Sequence, residues 1–160
     1  ITVAHAREAC AELGLELLEI AGSNTSEMIA ALTALVGQVD AVYVGTDNTA
    51  ASCVESLHRI AQSNKVPLIT GFFTQERANG VISYGFEYYN LGLDTGTIVW
   101  DLLHGKPVSE LESRLMNANA LLLLIDLDTA QDIGLQIPEA LMARADYLVV
   151  NGVQTRVREK

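Results

Sequence analysis

Short apolar strands that alternate with amphipathic helices predict an α/β fold, a doubly wound parallel sheet covered by helices on both faces. Two observations carry this expectation. The runs Ala41 to Val44, Val66 to Thr70 and Val81 to Tyr84 are brief, apolar and bounded by turn residues. Before, after and between the first two of them lie segments whose apolar residues recur at three- and four-residue spacing. With 160 residues, nearly half of them hydrophobic, the chain can fill the core of one ordinary domain, or of one domain and a part.

The first helix is expected over Thr2 to Leu13, with Val3, Ala6, Cys10 and Leu13 on its stripe and Gly14 as its stop. Leu15 to Ile20 reads as a short strand. Asn24, Thr25 and Ser26 offer N-caps for a second helix carrying Met28, Leu32, Leu35 and Val36, ended by Gly37. Ala41 to Val44 follows as a strand. A third helix from about Thr49 turns Ala50, Cys53, Val54, Leu57, Ile60 and Ala61 inward. After the strand Val66 to Thr70 comes a short polar turn or helix at Thr74 to Asn79, then the strand Val81 to Tyr84. Tyr88 to Leu103 is a long helix with Leu91, Thr95, Ile98 and Leu102 on one face and Gly105 beyond its end. Lys106 to Asn119 is polar and irregular. The strand Ala120 to Ile125, a helix near Thr129 to Ile133 and another from Pro138 complete the order. A doubly wound sheet starts with a strand, whereas this order starts with a helix and without an initiator Met, so the expectation is a chain that lacks its first strand.

Composition narrows the partners. Twenty acidic residues against ten basic ones give a formal charge of −10, which disfavours nucleic acid and an anionic membrane surface, since both need Lys/Arg clusters. Arg156, Arg158 and Lys160 read as a frayed tail. No apolar run approaches the roughly 18 residues of a membrane span. Cys10 and Cys53 fall on helix stripes and read as reduced, buried small hydrophobes; a disulfide between them stays open for an extracytoplasmic chain.

A search for catalytic constellations yields none. His5, His58 and His104 are far apart, with no paired spacing for a metal. Gly80-Val-Ile-Ser83-Tyr-Gly85 has the wrong spacing for a nucleophile elbow. Neither a Walker lysine nor a dinucleotide-binding glycine motif is present. Asp47 ends a strand as a phospho-acceptor would, yet Lys65 precedes a strand instead of following one. The expectation is therefore no catalysis, no metal and no cofactor. What is left is a binding constellation. In an open parallel sheet, ligands meet the carboxyl ends of the strands, where Thr46, Asp47, Asn48 and Thr49 join a strand to a helix start. The plainer reading is that Asp47 or Asn48 only caps the helix. Thr70-Gly71-Phe72-Phe73 ends the next strand, so one of its two rings can line the crevice while the other packs inward.

Val42-Tyr43-Val44-Gly45-Thr46-Asp47-Asn48-Thr49 resembles the Ile-Tyr-Val-Pro-Thr-Asp-Asn-Thr segment of the ABC transporter substrate-binding proteins related to the tryptophan-binding TrpX. Lys65-Val66-Pro67-Leu68-Ile69, the stretch from Tyr84 to Gly92, and Gly134-Leu135-Gln136-Ile137-Pro138 through Asp146 resemble further markers of that family, in the same order and over essentially the whole chain. The resemblance implies a type 1 periplasmic-binding-protein-like fold, exported and coupled to ABC permease subunits, with a small ligand closed between two lobes. It implies that residues 1–86 are the second lobe without its first strand. Residues 87–112 are then a crossover and a helix packing on an absent first lobe, and residues 113–160 a return strand and C-terminal helices. It also implies that the membrane is reached only through an upstream lipid anchor, where one exists.

In that family the Thr-Asp-Asn turn and a Ser-Asp pair face an amino-acid-like ligand. The first maps onto Thr46, Asp47 and Asn48. The second falls on Gly71 and Phe72, so the pattern loses a carboxylate there and favours a more apolar or aromatic ligand. Phe72 is expected to line the cleft and Phe73 to point the other way. Glu87, at the crossover between lobes, and Thr2, at the start of the first helix, complete the candidate contacts together with Phe73. The competing reading is a ligand-sensing domain of the same fold in a regulatory or signalling protein.

Overall fold

The computed structural model describes residues 2–73, 78–111 and 121–158, leaving aside the side chains of Thr2 and Glu87. Its elements run α1 (Thr2–Leu13), α2 (Thr25–Leu35, extended by a 3-10 turn over Val36–Gln38), β1 (Val42–Val44), α3 (Asn48–Ser63), β2 (Leu68–Phe73), β3 (Ile82–Glu87) and α4 (Tyr88–Leu103). Then follow β4 (Leu122–Asp126), α5 (Leu127–Ile133), α6 (Glu139–Met142), β5 (Tyr147–Val150) and β6 (Val153–Arg156).

Local chemistry fixes the helix starts. The Asn24 side chain accepts the Glu27 N–H at 3.0 Å, while the Glu27 carboxylate reaches back to the Ser23 N–H at 2.8 Å, so α2 opens with two orphan donors satisfied. Asp47 caps α3 and Asp126 caps α5 by the same device. The buried stripe of α3 is Ala50, Cys53, Val54, Leu57 and Ala61. It packs with Leu32 and Val36 of the α2 region against Val44, Leu68 and Phe72 of β1 and β2.

Among the described residues six strands form one sheet in the order β1-β2-β3-β4-β5-β6. The first three are parallel, as expected, but β4 runs antiparallel to β3 and β6 antiparallel to β5. The sheet is therefore mixed. All five residues of β4 are buried, so both of its faces are covered, which explains a strand with no polar alternation. Its Asp126 carboxylate is taken up by the Thr129 N–H at 3.0 Å and the Thr129 hydroxyl at 2.9 Å.

The register of β2 on β3 shifts between Thr70 and Phe72. The buried Thr70 hydroxyl lies 2.7 Å from the Phe72 carbonyl and 2.8 Å from the Ser83 hydroxyl, which pins the irregularity from inside. Gly85 lies directly against this bulge. A Cβ there would overlap the Gly71 carbonyl, so only glycine fits.

Several sequence expectations are corrected. Leu15 to Ile20 forms no strand: among the described residues nothing pairs with it, and Leu15 and Leu18 are exposed. A strand is defined by a neighbour that takes its backbone groups, and among the described residues this segment has no strand beside it. The tail reading of Arg156 also fails. Asn151 and Gly152, at φ 53° and 73°, make the two-residue turn of a hairpin between β5 and β6. Both of their N–H groups donate to the Asp128 carboxylate, at 2.9 and 2.7 Å. Arg156 in β6 then lies over the Tyr147 ring, 5.9 Å from its centre. The expected turn at Thr74 to Asn79 falls mostly outside the described residues, as does most of the polar stretch up to Asn119.

No residue of α4 is buried, and Tyr88, Tyr89, Leu93, Val99, Trp100, Leu102 and Leu103 are exposed. No helix of the described residues is long and apolar enough to cross a membrane.

Candidate functional site

The three parallel strands end on one edge of the sheet, and there the chain turns into α3. Asp47 sits at φ −136° and ψ 134°, extended as an N-cap must be, and its Oδ1 accepts the Ala50 N–H at 2.8 Å. The cap uses one oxygen. Oδ2 has no hydrogen-bond partner among the described residues, nor has the Asn48 amide, and both residues are exposed. Thr46 is exposed as well. Thr49 is half-buried inside the first turn, where its carbonyl accepts the Ser52 hydroxyl at 2.7 Å. Thr46, Asp47 and Asn48 therefore form a polar lip beside the free N–H groups of a helix start.

Gly71 lies at the same edge. A Cβ built on it would come 3.2 Å from the Tyr43 hydroxyl and 3.5 Å from the Thr46 hydroxyl, so the Gly71 backbone forms a floor between two hydroxyls. Tyr43 was not among the expected contacts. The signal for it is period two. Val42 and Val44 belong with the α3 core, which leaves the Tyr43 side chain on the opposite face, the face of Gly71. Knowing that Tyr43 stands against β2 required the register Tyr43 to Ile69.

The expectation for Phe72 is corrected. Its ring is 3% exposed and lies in the cluster with Leu32, Val44, Leu57 and Leu68, with no open face for a ligand. Phe73 does point the other way, into a second cluster with Leu122, Leu124, Tyr147 and Val149, and it is fully buried. Strand alternation does put the two rings on opposite faces, but Phe72 lies on the face that α2 and α3 cover, and β4 and β5 bury Phe73 on the other. Phe73 pairs in register with Glu87, which closes β3 on the carboxyl edge of the parallel strands, and Thr2 opens α1.

Other reactive groups stand apart from the lip. Among the described residues no group of His, Cys, Asp and Glu could hold a metal ion. Burial pushes the Cys53 thiol above its usual range, and both cysteines are free. A depression of about 240 Å³ on the flank of α3 is lined by Glu55, His58, Arg59, Ala78 and Asn79. The half-buried His58 has no partner for Nδ1 among the described residues. Burial lowers its pKa from 6.5, partly opposed by the Asp126 charge. A depressed imidazole means that the unfolded chain binds the proton more tightly. The stability tied to a neutral His58 is thus complete above pH 6.5 and is lost as pH falls below that value. Urea unfolding between pH 8 and 5 checks this: the wild type should lose stability on acidification, and His58→Gln should flatten that part of the profile.

Three comparisons relate the chain to known proteins. The family model described as ABC transporter substrate binding protein matches residues 2–149. A tyrosine-binding protein of Clostridioides difficile (strain R20291) is 28% identical over 121 residues, which is 76% of this chain and 34% of that protein. A conserved domain protein of Vibrio cholerae O1 biovar eltor superposes with a TM-score of 0.81 at 26% identity, over 91% of this chain and 49% of that one. A ligand-free, open substrate-binding protein with adhesive properties from Clostridium difficile superposes at 0.60 and 26% identity, over 86% and 46%. An ABC domain from Streptococcus pneumonia in complex with L-Trp shares the fold at 0.79 and 24% identity, over 92% and 50%. The chain thus spans about a third of the curated relative and about half of each solved chain.

Proposed function

Since the chain belongs to the ABC transporter substrate-binding protein family, we propose that it is the ligand-gripping second lobe of an extracytoplasmic solute receptor that delivers a small amino-acid-like or aromatic ligand to ABC permease subunits. The carrying observation is the lip of Thr46, Asp47 and Asn48, exposed at the carboxyl edge of the parallel strands with polar atoms unspent on the protein itself. Gly71 supplies the floor. Glu87 and Thr2 are proposed to complete the contacts, while Phe72 and Phe73 are assigned to the core. The names of the tyrosine-binding relative and of the fold neighbour with L-Trp favour an aromatic amino acid.

In this reading the ligand closes a hinge. Contacts from both lobes stabilise the closed state, and the permease recognises that state. Residues 1–86, joined by the strands that complete their sheet, form the second lobe. The exposed face of α4, within residues 87–112, packs on the first lobe. The protein's role is binding, not catalysis, and an upstream lipid anchor would hold it at the membrane.

Calorimetric titration of the whole protein with the twenty amino acids tests the proposal, beginning with L-tyrosine and L-tryptophan. Binding of at least one at micromolar affinity or tighter is expected, and binding of none would sink it. Asp47→Asn sharpens the test, because the amide keeps an oxygen for the Ala50 N–H and removes only the charge. Its stability should stay within about 0.5 kcal/mol of the wild type, while affinity for the bound amino acid falls by about 1.5–3 kcal/mol. Unchanged affinity would reduce Asp47 to a helix cap.

A further inference from the structure

We infer that Tyr43 is a specificity-determining residue of this site and that its hydroxyl, with that of Thr46, holds the ligand's carboxylate above the Gly71 backbone. The inference rests on the reading of the edge as a ligand site and names the group that the ligand presents there.

Tyr43 is 55% exposed in the middle of β1. It pairs in register with Ile69, yet its hydroxyl reaches Gly71, two residues farther toward the carboxyl edge. The ring therefore leans along the strands toward the lip. Around the point that a Gly71 side chain would fill stand three donors: the Tyr43 hydroxyl at 3.2 Å, the Thr46 hydroxyl at 3.5 Å and the Thr46 backbone nitrogen at 3.8 Å. Neither hydroxyl has a hydrogen-bond partner among the described residues. Because both hydroxyls stand within 3.5 Å of that point, they lie close to each other over the Gly71 Cα, and one acceptor standing farther out above the glycine can meet both; an anionic oxygen gains most from such donors.

Glycine at position 71 keeps that point empty. An alanine methyl would occupy it and stand tight against the Tyr43 hydroxyl. The Asp47 carboxylate next along the chain disfavours a bare anion and favours a ligand that brings a cation with its carboxylate, as an amino acid does. The outcome is a division of labour across the lip, with the carboxylate on Tyr43 and Thr46 and the ammonium toward Asp47.

The test is titration of the whole protein with L-tyrosine and L-tryptophan and with tyramine and tryptamine, which lack only the carboxylate. The wild type should bind the amino acids better than the amines. Tyr43→Phe, which removes a single exposed hydroxyl, should weaken amino-acid binding about tenfold or more and leave amine binding unchanged. Gly71→Ala should act in the same direction, and both variants should melt with the wild type. Equal affinity of Tyr43→Phe and wild type for the amino acid would overturn the inference while leaving the receptor reading standing. So would an equal loss for acid and amine, which would mark Tyr43 as structural. If the wild type binds none of the four probes, the inference and the amino-acid reading fall together.

Discussion

Phe73→Ala is expected to destabilise the protein by about 3–5 kcal/mol, the usual cost of emptying a fully buried aromatic site. Phe73 is 0% exposed and meets the Tyr147 ring edge-on, with centroids 5.8 Å apart. Its neighbours Leu122 and Leu124 lie on β4, and Tyr147 and Val149 on β5, so one ring joins the parallel half of the sheet to the return strands. Backbone bonds hold β5 to β4, and the buried Asp146 carboxylate accepts the Leu123 N–H at 2.9 Å. The cavity cannot collapse easily against neighbours fixed in this way, which argues for the upper part of the range. Urea unfolding of the wild type and the variant, followed by circular dichroism, measures the loss. A value below about 1 kcal/mol would mean that this cluster is not packed in solution.

Gly85→Ala should cost a similar amount, about 3 kcal/mol or more, for the opposite reason. There is no cavity to make, only a methyl group placed onto the Gly71 carbonyl. The methyl is fixed to its Cα and the atoms it meets are backbone, so neither side can swing aside as a long side chain would. Relief requires β2 and β3 to part at the bulge that the Thr70 hydroxyl pins. Because Gly71 is also the proposed ligand floor, the substitution should weaken ligand binding together with stability. Denaturation and calorimetry on the same variant check the coupling. Intact stability would show that the strands separate freely there, whereas lost stability with full affinity would detach Gly71 from the site.

Much of the candidate site's local structure was legible because it depends on local chemistry. Asp47 could be placed at a strand end and a helix start from the run Val-Gly-Thr-Asp-Asn-Thr alone, and it caps α3 as that run requires. Phe72 was misjudged for a reason that one strand does not reveal. Period two assigns its face, but what covers that face comes from Leu32 and Leu57, some 40 and 15 residues earlier in the chain. Tyr43 went unnoticed because its significance lies in reaching across to Gly71, a relation created by strand register. The β5–β6 hairpin carries a signal that the reading of a basic tail overlooks: Asn151-Gly152 between the apolar Tyr147–Val150 and the alternating Val153–Arg156 is a strong hairpin turn.

By itself the sequence determined the helices and most strands, since caps, apolar stripes and glycine stops act within a few residues; α4, for example, spans Tyr88–Leu103 as its periodicity requires. It also determined the polar turn at the candidate edge, because parallel strands that feed helices leave polar turns at their carboxyl ends. Only the tertiary structure decided the direction of β4, the burial of both phenylalanines and the meeting of Tyr43, Thr46 and Gly71. Each of these depends on which distant segment comes to lie alongside, and pairing and packing between segments far apart in the chain leave no periodic trace in either one alone.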